Sequence, residues 1–243
     1  AGLRSYRMNM PEEVNRVLTD RISKFLFCPT KTAVENLKKE NIAKGVYLVG
    51  DVMYDVFKNS KCKMQKSKIL KKLNLRSKEY LLLTIHRQEN TDSPKNLKLI
   101  LSALKQTKEK IVFPVHPRTK KTIRQLPNHL IAKLSNHFLF IDPVSYLDML
   151  ALEKNAQKIL TDSGGVQKEA YWLGIPCITV RDETEWIETV ESRWNILVGA
   201  DKRRIINAVF NQSCKTRPPL WKIYGNGNSA KTIIRIIENY SKT

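Results

Sequence analysis

The sequence lacks any apolar run approaching the roughly 20 residues that a bilayer-spanning helix needs. Its 243 residues, 42% of them hydrophobic, are enough for one large or two modest domains with a substantial core. The chain begins at Ala1, and no charged segment followed by an apolar leader comes next, so no signal peptide is predicted. We therefore expect a soluble, cytoplasmic protein with no membrane partner, and one that can be a piece of something longer.

Cysteine is scarce, and its spacing excludes the usual cysteine-based sites. Cys28, Cys62, Cys177 and Cys214 are widely scattered and form no CxxC pair. Neither a zinc site nor a disulfide framework is indicated, and reduced thiols in a cytosol are the simplest account. We predict no metal site.

Acidic residues are also few: 23 Asp and Glu against 43 Lys and Arg give a formal net charge of +20. Such a charge suggests nucleic acid as a partner. The lysines, however, crowd positions 58–78 or recur singly along predicted helices, and no RNA motif, zinc finger or recognition helix is present. We predict a solvated basic surface and no nucleic-acid partner, although the charge could attract an anionic substrate.

One stretch organises the rest of the chain, and it reads Thr161-Asp162-Ser163-Gly164-Gly165-Val166-Gln167-Lys168-Glu169-Ala170. An apolar strand precedes it and a helical stripe follows, so Ser163, Gly164 and Gly165 lie at a strand-to-helix turn. Two glycines allow close approach of a ligand, and the free N–H groups of the first helical turn suit a phosphate. Glu169, one turn on, could accept hydrogen bonds from a ribose diol. The alternative is an ordinary turn that Ser163 caps.

Short apolar segments alternate with helical patterns along the chain. The predicted strands are Phe25–Cys28, Val46–Val49, Tyr80–Thr84, Lys110–Val115, Phe138–Ile141, a strand ending at Leu160, Cys177–Val180 and Ile196–Val198. Strands that alternate with helices predict an α/β fold with a doubly wound, Rossmann-like parallel sheet. In the first helix, which Pro11 opens, the pattern predicts a buried side formed by Val14, Val17, Leu18 and Ile22.

Polar residues gather just past the ends of these strands. They are His86, His116, Pro143, Ser163 and Arg181. In open α/β sheets, ligands bind at the carboxyl ends of the strands. A single histidine there would usually be structural, but two of them together with Arg87 and a glycine turn favour a functional site.

Taken together, these residues resemble the non-hydrolysing UDP-N-acetylglucosamine 2-epimerases. The motifs that carry the resemblance, in order, are Ala1-Gly2-Leu3-Arg4, Met10-Pro11-Glu12-Glu13-Val14-Asn15-Arg16, Cys28-Pro29-Thr30, Gly50-Asp51-Val52-Met53, His86-Arg87-Gln88-Glu89-Asn90, Pro114-Val115-His116-Pro117, Thr161 to Ala170, Thr184-Glu185 and Tyr224-Gly225-Asn226-Gly227. The resemblance implies two Rossmann-like domains in the arrangement of the B-type glycosyltransferases. It also implies interconversion of UDP-N-acetylglucosamine and UDP-N-acetylmannosamine, by elimination and re-addition of UDP, without a metal or nicotinamide cofactor.

The resemblance also assigns roles to residues. It implies that Ser163, Gly164 and Gly165 hold the diphosphate, that Glu169 holds the ribose, and that His86 stabilises the departing UDP. Further residues follow from the same resemblance: Glu12 as a catalytic carboxylate, Arg87 and His116 near the nucleotide or a second UDP-sugar site, and Val144 in the segment whose backbone holds uracil. Without the resemblance, the preferred interpretation of Glu12 is a first-turn acid favoured by the helix dipole.

Relatives in this family carry a catalytic Glu immediately before the position of Ala1, and a Lys-x-Gly-Thr-Arg-Pro-Glu loop further upstream. The resemblance therefore implies that residues 1–50 are a remnant of the amino-terminal domain. Residues 51–243 would be the UDP-binding domain, with a connector at 51–78 and a final crossing helix at 226–241. We expect the isolated chain to be incomplete and inactive, to belong to a longer enzyme or pair with a separate amino-terminal chain, and to form a homodimer when complete.

Two alternatives remain open. The chain could be a non-catalytic domain that binds UDP or a UDP-sugar. It could also be a fragment of a B-type glycosyltransferase, which fits the fold but is not supported by Glu12-Glu13 or by His86-Arg87-Gln88-Glu89-Asn90.

Overall fold

The computed structural model describes residues 1–127, 131–132, 134–212 and 223–241. The chain forms two compact units: residues 1–62 with 219–243, and residues 63–218. Cys214 and part of a helix that the sequence predicts between Ile123 and Leu134 lie outside the described residues. Within the described parts of the chain, no helix is long and apolar enough to span a bilayer.

The first unit begins with alternating helices and strands. They are α1 (Pro11–Ile22), β1 (Leu26–Cys28), α2 (Lys31–Lys39), β2 (Val46–Leu48) and α3 (Val52–Met64). Pro11 lies in the first turn of α1, where its missing N–H group costs nothing. β1 and β2 pair in parallel, with Leu26 opposite Val46, and with α2 they bury a small core of Leu26, Cys28, Ala33 and Leu37.

The second unit contains most of the regular structure. Its elements are α4 (Ile69–Lys72), β3 (Leu81–Thr84), α5 (Gln88–Thr91), α6 (Pro94–Gln106), β4 (Ile111–Pro114), α7 (Pro117–Ile123), β5 (Phe138–Ile141), α8 (Tyr146–Asn155), β6 (Lys158–Thr161), α9 (Gly164–Leu173), β7 (Cys177–Thr179), α10 (Ile187–Glu191), β8 (Asn195–Leu197) and α11 (Lys202–Asn211). All six strands form one parallel sheet in the order β5-β4-β3-β6-β7-β8. The predicted doubly wound parallel sheet is therefore confirmed.

The sheet is buried on both faces, and its central strand β3 carries three consecutive apolar residues. Leu81, Leu82 and Leu83 of β3 are all 0% exposed. Side chains of α6 and α11 join the same core, which includes Leu97, Leu101, Leu104, Ile205 and Val209. The four longest described helices of this unit begin at polar caps: the side chains of Ser93, Ser145, Ser163 and Asp201 accept a backbone N–H from the first turn of α6, α8, α9 and α11.

The final helix, α12 (Ser229–Tyr240), groups with the first unit. It begins three residues later than the predicted 226–241. Gly225 and Gly227 have φ angles of 89° and 85°, which a helix cannot contain. The predicted connector 51–78 includes α3 and α4, and the predicted domain boundary at residue 50 stays a prediction.

The predicted buried side of α1 is wrong at two of its four positions, whereas Val14 and Val17 are half-buried. Leu18 and Ile22 are 57% and 86% exposed, whereas the buried positions of this helix are Glu13 and Asp20. Asp20 accepts hydrogen bonds from the Gly2 amide and the Arg4 guanidinium. These bonds turn a polar face of the helix towards the interior of the unit. Hydrophobic periodicity could not reveal that choice, because it depends on residues before the helix.

Candidate functional site

The candidate site lies along the carboxyl edge of the second unit's sheet. Each predicted polar residue follows a strand: His86 follows β3, His116 follows β4, Pro143 follows β5, Ser163 follows β6 and Arg181 follows β7. Because the strands are parallel, these positions share one edge. β3 has β4 on one side and β6 on the other, so the strand order reverses between β3 and β6. That reversal is where ligands bind in doubly wound sheets.

Asp162 joins the two strands at this reversal. Its carboxylate is fully buried and accepts the backbone N–H groups of His86 at 3.1 Å and Arg87 at 3.0 Å. It also accepts the side-chain amide of Asn90 at 3.1 Å. A buried carboxylate with several donors is held in place firmly. Asp162 therefore determines where the turn after β3 places the side chains of His86 and Arg87.

The two predicted histidines lie next to each other. The ring centroids of His86 and His116 are 5.8 Å apart, and Nδ1 of His86 is 3.6 Å from Asp162. Burial lowers the pKa of His86, as do the nearby His116 and Arg87, although Asp162 opposes them. His86 is thus favoured as the neutral imidazole at pH 7, with one nitrogen able to donate a hydrogen bond into the site.

Arg87 is held in part by an acidic residue that follows β7. Its Nη2 lies 3.4 Å from Oε1 of Glu185, whose other oxygen accepts a hydrogen bond from Arg181 at 3.1 Å. Nη1 of Arg87 is buried and has no partner among the described residues. A buried guanidinium N–H without an acceptor favours an anionic ligand in this place.

Ser163 is the N-cap of α9, the role that the alternative interpretation of this turn assigns to it. Its hydroxyl accepts the N–H of Val166 only at 3.5 Å, the outer limit of a hydrogen bond, so the O–H remains available for a ligand. The Gly164 and Gly165 amides belong to the first turn, whose N–H groups have no intrahelical acceptor. A Cβ atom at Gly164 would lie 2.7 Å from Nε1 of Trp186. Glycine is therefore required there by close packing as well as by any ligand.

Glu169 lies one turn further along α9 and is only 5% exposed. The Tyr146 hydroxyl donates a hydrogen bond to its carboxyl group, and the carboxyl group of Glu153 lies against it. Burial raises the pKa of Glu169 to about 7, against the effects of Tyr146, of the Lys168 charge and of Glu153. The predicted ribose ligand is therefore a carboxyl group that titrates near neutral pH.

Two predicted residues lie elsewhere. Val144 is half-buried in the loop between β5 and α8, two residues before Tyr146, so the contact of Tyr146 with Glu169 brings this loop towards α9. Glu12 belongs to the first unit, where it is exposed in the first turn of α1. The adjacent Glu13 is instead fully buried and accepts hydrogen bonds from the Ser5 and Tyr6 amides. Of the two acids, only Glu12 is open to a ligand.

Three acidic residues of this site have no role predicted from the sequence. Asp162 was available as part of the glycine motif, but a buried position for it becomes evident only once β3 and β6 are known to pair. Glu185 was noted within Thr184-Glu185, without its link between Arg87 and Arg181. Glu153 ends an apolar helical run, a position typical of a solvated residue. No group of three or more His, Cys, Asp or Glu residues in the described ranges could hold a metal ion.

Comparison with known proteins points to one family. A family model for UDP-N-acetylglucosamine 2-epimerase matches residues 1–238. A UDP-N-acetylglucosamine 2-epimerase homolog of Methanococcus maripaludis is 50% identical over 98% of this chain and 67% of its own length. The UDP-2,3-diacetamido-2,3-dideoxy-D-glucuronate 2-epimerase of Pseudomonas aeruginosa is 41% identical over 96% of this chain and 65% of its own length.

A solved structure from the same family also matches this chain. The UDP-GlcNAc 2-epimerase of Methanocaldococcus jannaschii, in complex with UDP-GlcNAc and UDP, matches with a TM-score of 0.89 and 44% identity. The match covers 98% of this chain and 67% of that one. The chain thus spans about two thirds of the length of the relatives that it matches.

Proposed function

This chain belongs to the UDP-N-acetylglucosamine 2-epimerase family, and from this we propose that it binds the UDP part of a UDP-N-acetylhexosamine at the carboxyl edge of its six-stranded sheet. The observation that carries the proposal is the junction of β6 and α9. There the Ser163 hydroxyl and two glycine amides lie at the reversal of strand order, next to the turn that Asp162 holds. This junction offers a hydroxyl and backbone N–H donors, which suit a diphosphate.

The proposed contacts follow the geometry. The Ser163 hydroxyl and the amides of Gly164 and Gly165 donate to the diphosphate, and the neutral imidazole of His86 donates to the oxygen that leaves the sugar. The unpartnered Nη1 of Arg87 adds a charged donor. His116 borders the same anion, Glu169 accepts the ribose hydroxyls, and the backbone around Val144 holds uracil. These assignments are proposals that binding measurements can test one by one.

For the chemistry, we propose the reaction of the non-hydrolysing epimerases. A base removes the proton on C2 while the C1–O bond to UDP breaks, which gives 2-acetamidoglucal and UDP. UDP then adds back at C1 and a proton returns to the opposite face of C2, so UDP-N-acetylglucosamine and UDP-N-acetylmannosamine interconvert. Glu12, exposed at the start of α1, is the proposed acid–base carboxylate of this chain. Donors on the leaving diphosphate stabilise the charge that develops there.

The binding site is tested by removing its two side chains together. Ser163→Ala with Glu169→Ala should weaken UDP binding by roughly 2–4 kcal/mol in calorimetric titration, because two hydrogen bonds to charged or buried groups are lost. Ser93→Ala is the matched control, since Ser93 caps α6 in the same way and contacts no proposed ligand. Unchanged affinity in the double variant would remove the site assignment.

The catalytic role is tested by exchange of the C2 proton with solvent deuterium, in a chain completed with the amino-terminal part of a relative. Glu12→Gln should abolish the exchange and leave UDP affinity nearly intact. Exchange at the parent rate would leave Glu12 as a helix-start residue only.

The second candidate function is UDP-sugar binding without turnover. It is favoured by one observation: every proposed nucleotide contact lies within residues 63–218, whereas the proposed catalytic acid Glu12 lies in the other unit. We expect the isolated chain to bind UDP and show no epimerisation, and robust conversion by that chain would contradict this. A separate amino-terminal chain, a homodimer and a cytoplasmic location remain proposals, the first two testable by co-purification and light scattering.

A further inference from the structure

Glu153 is a buried acid that the proposed chemistry does not use. It lies in the last turns of α8 and is 0% exposed. Neither of its carboxyl oxygens receives a hydrogen bond from an N–H or hydroxyl donor among the described residues. The group that faces it is another carboxyl, that of Glu169 on α9.

Two carboxyl groups in contact can form a hydrogen bond only if one of them carries a proton. Two buried carboxylates side by side would repel each other and would lack the solvation that each charge needs. Glu169 has other stabilising partners, Tyr146 and Lys168, whereas Glu153 has none in the described chain. The proton that the pair shares therefore belongs on Glu153.

We propose that Glu153 is a protonated carboxylic acid that donates a hydrogen bond to Glu169, positions the Glu169 carboxylate for the nucleotide ribose, and makes UDP-sugar affinity fall when the pair takes up a second proton. The inference rests on the proposed function, because it requires the ribose to bind at Glu169. Glu153 acts as a positioning residue, since it contacts Glu169 and not the ligand.

The hydroxyl and thiol groups that face the pair keep their protons near neutral pH. Burial raises the pKa of Tyr80, on which the charge of Glu153 acts, and that of Tyr146 on α8. Burial likewise raises the pKa of Cys177 on β7 to about 12. Lys168 on α9 brings an ammonium group, which lies 3.9 Å from the centre of the Trp186 ring. The pair itself is thus the group expected to change charge between pH 6 and 8.

The direction of the pH effect follows from the charge of Glu169. Burial raises the pKa of Glu169 to about 7, so above that pH it is a carboxylate with free lone pairs for the ribose hydroxyls. Below that pH it becomes a neutral acid, with a proton on one oxygen and weaker acceptors. Affinity should therefore be full near pH 8 and decline as the pH falls through 7. Protonation of His86 would act in the opposite direction, because it attracts the diphosphate.

The test is a calorimetric titration of the 243-residue chain with UDP-N-acetylglucosamine from pH 5.5 to 8.5. The diphosphate of this ligand is esterified at both ends and does not titrate in that range. The parent should lose affinity roughly tenfold between pH 8 and pH 6, since one pKa unit corresponds to a tenfold change. Glu153→Gln keeps the shape and a donor but removes the second acid. Its affinity at pH 6 should stay within about twofold of its value at pH 8, because the pKa of Glu169 falls.

Glu188→Gln is the matched control. Glu188 is a buried acid on α10 with an oxygen that lacks a partner, and it does not face Glu169. This variant should keep the pH profile of the parent. If Glu153→Gln also keeps that profile, the role of Glu153 is refuted while the binding site stands. A parent chain that binds no UDP-N-acetylglucosamine at any pH refutes the proposed function instead.

A second measurement does not depend on how the variant folds. In the parent, labelled with ¹³C at the Glu carboxyl carbons, NMR should show one buried carboxyl protonated at pH 8 and a second that titrates near pH 7. Signals that show both Glu153 and Glu169 ionised at pH 7 would refute the proposal that the pair shares a proton, independently of any result on ligand binding.

Discussion

The two compact units bury different kinds of side chain. In the first unit, the small apolar core of Leu26, Cys28, Ala33 and Leu37 is accompanied by buried ions, among which Arg4 bonds to Asp20 at 2.7 Å and to Glu40 at 2.6 Å. In the second unit, one large apolar core fills the space between sheet and helices. There the buried acids Asp162, Glu153 and Glu169 gather at or beside the candidate site.

The difference separates two uses of buried charge. In the first unit the buried charges are paired with one another and also form hydrogen bonds with the backbone. Burial alone would lower the pKa of Arg4, but the carboxylates of Glu40 and Asp20 raise it above its usual value. In the second unit an acid such as Glu169 has no ion-pair partner as close among the residues that the structure describes, and burial raises its pKa. Buried charges that are fully paired serve the fold, whereas those that are incompletely paired mark a site that a ligand can complete.

The largest effect is expected in the first unit. Arg4→Met should lower the free energy of unfolding by about 3–5 kcal/mol in urea denaturation, because Asp20 is then a buried charge without its partner. Arg21→Met is the control: Arg21 reaches the same Glu40 at 3.8 Å, but its side chain is 53% exposed. It should cost less than about 1 kcal/mol. Equal effects would show that burial does not separate the two arginines.

An intermediate effect is expected at the edge of the sheet in the second unit. Asp162→Asn should lower the free energy of unfolding by about 2 kcal/mol, because an amide cannot accept all the N–H groups that the carboxylate accepts. UDP affinity should fall with it, since the His86 turn loses its anchor. Asp142→Asn is the control, since the Asp142 side chain is 87% exposed. If the two variants unfold alike in thermal denaturation, the buried carboxylate is not what holds this turn.

The smallest effect is expected on the exposed apolar face of α1. Ile22→Ser should change the free energy of unfolding by no more than about 0.5 kcal/mol, because the Ile22 side chain is already in solvent. Leu37→Ala, at a fully buried position of α2, should cost about 2–5 kcal/mol in the same measurement. A large loss in Ile22→Ser would mean that this face is covered in solution.

The strands of the second unit could be predicted because continuous apolar runs bounded by turn residues describe strands that are buried on both faces. The edge position of Ser163, His86 and His116 followed directly, since parallel strands end on one side. The bonds from Asp162 to His86 could not be predicted in the same way. They join residues 76 positions apart, and that distance closes only because β6 pairs with β3.

In the candidate site, too, local features could be predicted from the sequence, whereas contacts between distant residues could not. The cap that Ser163 forms on α9 was predicted from local pattern, as the alternative interpretation of this turn, because a cap depends on its own turn. The contact of Glu153 with Glu169 was not, because a helix end that reads as solvated is buried against a neighbouring helix. Which acid of Glu12-Glu13 faces outward was likewise decided by the loop that donates to Glu13.

Local chemistry along the chain was sufficient for the kind of fold, the order of its elements and the glycine turn with its serine cap. These depend on side-chain periodicity and backbone dihedral angles over a few residues. Tertiary contacts alone decided which faces are buried, which carboxyl groups are paired and which of them keep a proton. Those properties depend on burial and on charges brought together from distant segments, and a buried charge is stable only through neighbours that the linear sequence does not show.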